Sequence, residues 1–157
     1  MTVRLLFDRT VRASLIRFHA RATHRLESGG LLLGYRKGSD LHVVDATFPS
    51  RWDRATRTMF HRSAIDHRRK AFKAWRTSSG TIDWIGEWHT HPGGTARPSS
   101  IDLRSWATIT IRRRAPMVFM ILDDQGQYLG LQTDRTLRQF NRVLEESVTA
   151  ILFGLST

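Results

Sequence analysis

The chain contains no cysteine. Disulfides, thiolate metal sites and a cysteine nucleophile are therefore excluded, and any metal must be held by His, Asp or Glu. Acidic residues are scarce: 14 Asp and Glu stand against 25 Lys and Arg, a formal charge of +11. No run approaches the roughly 20 apolar residues that a membrane-spanning helix needs, so no membrane partner is expected. The N-terminus, MTVRLLFDRT, lacks the apolar segment and small-residue cleavage site of a secretion signal, and a cytoplasmic protein is expected. There is no internal repeat, low-complexity tract or linker. A length of 157 residues, 40% of them hydrophobic, suits one domain over 1–157 with its own core.

The charge of +11 favours acidic partners, nucleic acid among them, over a merely solvated surface only about evenly. It is spread along the chain and forms no tail. The densest clusters, HRRKAFK (67–73) and RRR (112–114), fit helix surfaces and helix ends, where cations suit the dipole.

Apolar spacing sets out the expected elements. TVRLLFD (2–8) reads as a strand, and residues 9–24 as a helix with Val11, Leu15, Phe18 and Ala22 on one face. Residues 28–38 and 41–49 read as strands, 50–57 as polar loop, and 58–62 as a short strand. A helix is expected over 63–77 with Ser63 as N-cap, then a β-rich aromatic stretch at 81–91 and a stretch, 99–114, that is helical at its start. Residues 115–124 read as a buried strand, 125–127 as a turn and 128–133 as a strand. Residues 134–155 read as a long closing amphipathic helix. Without strict βαβα alternation, the expected fold is α+β, a mixed central β-sheet flanked by helices.

The stretch GEWHTHPGGTARPSSID, 86 to 102, concentrates the chemistry. Strand alternation points His89 and His91 to one face, where two imidazoles can share a metal. Seven residues of turn chemistry follow, and Ser99 then stands where a helix begins, with Asp102 in its first turn. The loop is long enough to bring Asp102 back to the histidines. Two imidazoles and a carboxylate leave a fourth position open, the usual arrangement of catalytic zinc. A base outside the ligand set is then needed. Glu87 lies on the histidines' strand face, and Glu27 precedes the Gly-rich apolar strand ESGGLLLGY. Alone, His-x-His is commonly two surface residues, and Ser99 with Asp102 an ordinary helix cap. The ordered set Glu, His-x-His-Pro and Pro-Ser-x-x-Asp is far more specific than any part.

That set resembles the JAMM motif of the JAB/MPN metallopeptidases: a glutamate, His-x-His, seven residues, Ser-x-x-Asp. The resemblance spans about residues 2 to 133, lacks no motif member, and is nearest to the stand-alone prokaryotic, deubiquitinase-like group. It implies zinc held by His89, His91 and Asp102. Glu27 would act as general acid/base on a zinc-activated water, and Ser99 would hydrogen-bond the oxyanion. Ser100 is off the motif spacing, and Glu87 becomes a neighbour of the site. The implied substrate is the bond after the extended C-terminal tail of a ubiquitin-like protein, in a fusion or a conjugate, with antiphage defence among the implied settings. Two alternatives stand beside this reading. A related RadC-type branch carries a similar signature and joins with the positive charge to suggest a nucleic-acid-associated protein. A module that binds a ubiquitin-like partner without cutting it is the other. His61 and His67 are expected in surface or capping roles, and Trp84, Trp88 and Trp106 chiefly in the core. Oligomeric state is not legible.

Overall fold

The computed structural model describes residues 2–21, 26–49, 54–55, 60–61 and 64–156. The chain begins with β1 (Arg4–Asp8) and α1 (Arg9–Arg21), then the hairpin β2 (Gly29–Lys37) and β3 (Asp40–Ala46). A two-stranded ribbon, β4 (Arg54–Ala55) and β5 (Phe60–His61), leads to α2 (Ala64–Thr77). Next come β6 (Asp83–Thr90), α3 (Ser100–Arg113), β7 (Met117–Leu122), β8 (Gln127–Gln132), β9 (Leu137–Glu146) and β10 (Ala150–Leu155). The proposed cap Ser63 lies outside the described residues.

The expected open sheet flanked by helices is corrected: eight strands close into a barrel in the order β1-β10-β9-β8-β7-β6-β2-β3. β1 pairs with β3 in parallel and with β10 antiparallel, which joins the two ends of the sheet. Closure depends on the segment read as a terminal helix, which is instead the hairpin β9–β10. Leu137, Phe140, Val143 and Leu144 have helical spacing, but only Phe140 is buried, and Val143 and Leu144 face solvent. Register shifts at Leu152/Phe153 and Gly154/Leu155 break the period of two that would mark a strand. Ser147 turns the hairpin: its hydroxyl accepts from the Ala150 amide at 3.0 Å.

Burial explains the apolar run MVFMIL in β7. Val118, Met120 and Leu122 join the main core with Leu15 of α1 and Trp88 of β6. Met117, Phe119 and Ile121 pack on the other side with Trp106 of α3. A strand covered on both faces shows no alternation. β6 and β7 run parallel, with α3 as their crossover. This unit positions the site, because the end of β6 and the start of α3 meet at one rim of the barrel.

Candidate metal centre

β6 delivers the histidines. His89 pairs with Ile121 of β7 and so shares the α3 side with Trp106, whose ring centroid is 6.1 Å away. Trp88, of opposite parity, is buried in the main core and donates its indole N–H to Thr47 O at 2.9 Å. The strand ends at Thr90, and the His91 amide still bonds Leu122 O at 2.8 Å. Both imidazoles therefore stand on a rigid rim.

α3 delivers the carboxylate. Ser99 is its N-cap in extended conformation (φ −77°, ψ 169°), and Asp102 completes a capping box. The Ser99 amide donates to Asp102 Oδ2 at 2.7 Å, the Ser99 hydroxyl to the same oxygen at 2.6 Å, and the Asp102 amide to Ser99 Oγ at 3.2 Å. The cap thus fixes the carboxylate as well as the helix start.

The three groups converge. His89 Nε2 and His91 Nε2 are 3.0 Å apart, His89 Nε2 is 3.2 Å from Asp102 Oδ1, and His91 Nε2 is 3.5 Å from Asp102 Oδ2. Tetrahedral zinc with N and O ligands at about 2.0–2.1 Å spaces neighbouring donors by about 3.3 Å, so the set fits such an ion. Among the described residues these three are the group of His, Asp and Glu side chains able to hold a metal. His91 Nδ1 donates to Thr95 O at 2.9 Å, so its neutral ring presents a lone pair on Nε2. The sequence reading did not find Thr95, because a backbone carbonyl leaves no residue-type signature.

Charge is arranged accordingly. The hydrogen bond with Asp102 raises the His91 pKa above its ordinary value, with burial opposing and Thr95 O assisting. Burial works against ionisation of Asp102, but hydrogen bonds from His89, His91 and Ser99 hold its pKa far below the usual carboxylate range.

Glu27 reaches the same rim through β2. Gly29 pairs with His89, and beyond it the Thr90 amide donates to Ser28 O at 2.8 Å while the Ser28 amide donates to Thr90 Oγ1 at 3.0 Å. Continued two residues past Gly29, that register leads Glu27 to the rim of the histidines, whose charges act on it. The two glycines permit this approach: a Cβ on Gly29 would lie 2.4 Å from Trp88 O, and one on Gly30 2.0 Å from Thr47 O. Burial raises the Glu27 pKa, the charges of His89 and His91 oppose the shift, and Asp102 adds to it. The other candidate base, Glu87, is buried in mid-strand between Leu31 and Phe119 and lies outside the converging group. One minor expectation is corrected. His67 is buried and bonded to Thr47 Oγ1 at 2.5 Å, so it is neither a surface nor a capping residue. Trp84 packs at the edge of the second core cluster, as expected, and carries Arg113 over its ring at 5.2 Å. The side chain of His61 lies outside the described residues.

Residues 11–138 match the family of prokaryotic homologues of the JAB domain. A CD-NTase/cGAS isopeptidase of Pseudomonas aeruginosa is 37% identical over 67% of this chain and 68% of that protein. One from Escherichia coli is 33% identical over 78% and 79%. A probable metalloprotease of Sinorhizobium fredii is 31% identical over 63% of each chain. In fold, the chain is similar to a protein of Desulfitobacterium hafniense solved in solution. The TM-score is 0.64, with 22% identity over 92% of this chain and 94% of that one. The chain belongs to the prokaryotic JAB family and is a JAB-type peptidase.

Proposed function

We propose that the protein is a zinc-dependent isopeptidase that cuts the amide bond joining an extended C-terminal protein tail to an amine. The convergence of His89, His91 and Asp102, with Glu27 alongside, carries this reading. The tail is that of a ubiquitin-like protein or of a protein conjugated in the same manner. The relatives' name makes a CD-NTase the first conjugate to try. Ubiquitin-like conjugation in antiphage defence is the setting that the family resemblance brings with it.

His89, His91 and Asp102 would hold a zinc ion, which would supply Lewis acidity for a carbonyl and for the ionisation of water near neutral pH. The residues do the rest. Glu27, basic for a carboxylate because it is partly buried, takes a proton from the attacking water and passes it to the departing amine. The Ser99 hydroxyl has one proton, resting here on Asp102 Oδ2. It can rotate to the oxyanion while the Ser99 amide keeps its own bond to that carboxylate. Thr95 O holds the His91 ring against reorientation.

The test uses zinc-loaded protein with a CD-NTase conjugated through its C-terminal tail to a lysine, and in parallel a ubiquitin-like fusion, read by mass spectrometry. Wild type should cleave one of them. Glu27→Gln should keep about one zinc per chain and lose about 10²- to 10⁴-fold in rate. His89→Ala should lose both zinc and cleavage. Wild-type rates in Glu27→Gln, or a wild type that takes up no zinc on reconstitution, would refute the mechanism.

A further inference from the structure

We propose that Asp123 is a positioning residue of the metal centre, acting on His91 through the single peptide group between Thr95 and Ala96. The proposal rests on the reading of His91 as a metal ligand. Asp123 follows β7 and is 8% exposed. Its Oδ1 accepts from the Gln125 amide at 2.7 Å and the Gly126 amide at 2.6 Å, closing the turn into β8. Its Oδ2 faces the other way and accepts from the Ala96 amide at 2.6 Å, in the loop that follows the histidines. These backbone donors hold the carboxyl ionised, its pKa below the ordinary value although burial opposes this.

The geometry beyond Ala96 gives this contact its consequence. The Ala96 N–H and the Thr95 C=O belong to one planar, rigid peptide unit, and in a trans peptide they point in opposite directions. The N–H is taken by Asp123 and the C=O accepts from His91 Nδ1 at 2.9 Å. The chain of contacts runs from carboxylate to peptide to imidazole to metal position. Metal-ligating histidines commonly donate their second N–H to a carboxylate or a carbonyl. Here both are used in series, and a charge at one end of a polarised chain strengthens the bond at the other. Asp123 therefore does two things at once. It stops the Thr95–Ala96 peptide from flipping, and it makes Thr95 O a stronger acceptor, which holds His91 in the Nδ1–H tautomer. The loop needs such a tether, since residues 92–98 form neither helix nor strand. Beyond this contact, the loop's backbone bonds Gly94 N to His91 O (3.1 Å) and Arg97 N to Thr95 O (2.7 Å) are local.

The decisive variant is Asp123→Asn. An Asn side chain of the same shape has one acceptor oxygen, and its NH₂ group must face either Ala96 N–H or the turn amides. With the oxygen on the turn, the hairpin stays closed and the loop tether is lost. Zinc affinity, measured by chelator competition, should weaken about 10- to 100-fold. In the metal-free protein at a pH where His91 is neutral, ring ¹⁵N shifts should change from the Nδ1–H form to a mixture of tautomers. A purely structural Asp123 would not move that signature. The wild type supplies a second reading that requires no variant to fold: its Ala96 amide must exchange far more slowly than that of Gly93. Unchanged zinc affinity with an unchanged His91 tautomer in Asp123→Asn, or a fast-exchanging wild-type Ala96 amide, overturns the proposal. Absence of zinc binding in the wild type would instead sink the function proposed above. The tautomer and exchange measurements, made without metal, would still decide the role of Asp123.

Discussion

Replacing Thr47 by Val tests how the barrel holds the Glu27 strand against the histidine strand. Thr47 is fully buried and lies just past the end of β3, where it ties β2, α2 and β6 together. Its hydroxyl accepts from the Leu31 amide at 2.8 Å and bonds His67 Nδ1 of α2 at 2.5 Å. Its amide donates to Leu31 O at 3.0 Å, and its carbonyl accepts from the Trp88 indole at 2.9 Å. Valine has nearly the same volume and keeps both backbone bonds, so the variant isolates the hydroxyl. The Leu31 amide is left buried without its acceptor, at about 1–3 kcal/mol, and the bond to His67 adds about 0.5–1.5 kcal/mol. The expected loss is about 1.5–4.5 kcal/mol, or roughly 3–18 °C in Tm for a domain of this size. Urea or thermal unfolding measures it. Thr47→Ser is the control: it keeps the hydroxyl and loses one methyl, at about 1 kcal/mol. If Thr47→Val lies within about 0.5 kcal/mol of wild type, the range of an ordinary surface change, the accounting is wrong.

Gly29→Ala should destabilise the protein by about 3 kcal/mol, the upper end of overpacking costs. The new Cβ meets a backbone oxygen, Trp88 O at 2.4 Å, which cannot swing away. Chemical denaturation gives the magnitude, and a variant as stable as wild type would show that β2 and β6 can part without cost. The His91–Asp102 pair predicts a pH window for the metal-free protein. The raised His91 pKa stabilises the fold fully below about pH 6.5 and the depressed Asp102 pKa fully above about pH 4. The pair's contribution should thus peak between those values. It should fade as pH rises through the folded His91 pKa or falls through the folded Asp102 pKa. Comparing the pH dependence of stability in wild type and Asp102→Asn isolates it, and parallel curves would contradict the coupling.

Much of the candidate site was readable because its parts are local. His89 and His91 share a face through the period of a strand. Ser99 and Asp102 are joined by the spacing of a helix cap, and the Pro/Gly loop between them spans a known number of residues. Glu27 was reachable only by pattern, since no local rule links residue 27 to residue 91. The structure supplies the reason in the Gly29–His89 register and the two glycines that let the strands meet. Thr95 and Asp123 were not legible, because both act through backbone groups whose partners depend on how the loop lies.

The amino-acid sequence alone therefore determined the candidate ligand types, the strand and helix that carry them, and the exclusion of thiolate chemistry. The parity of β6 and the cap of α3 are set by neighbouring residues, and here the rest of the chain leaves both in place. Only the tertiary structure decided the barrel. The β9–β10 segment carries helical spacing, and it becomes a hairpin because β1 needs a second partner and β10 provides one over five residue pairs. The motif, not the fold, selected Glu27 over Glu87 as the proposed base, and the assembled fold adds a physical reason for that choice. Strand parity favours Glu87, but mid-strand burial withdraws it from the rim, while pairing across the sheet brings Glu27 to the histidines.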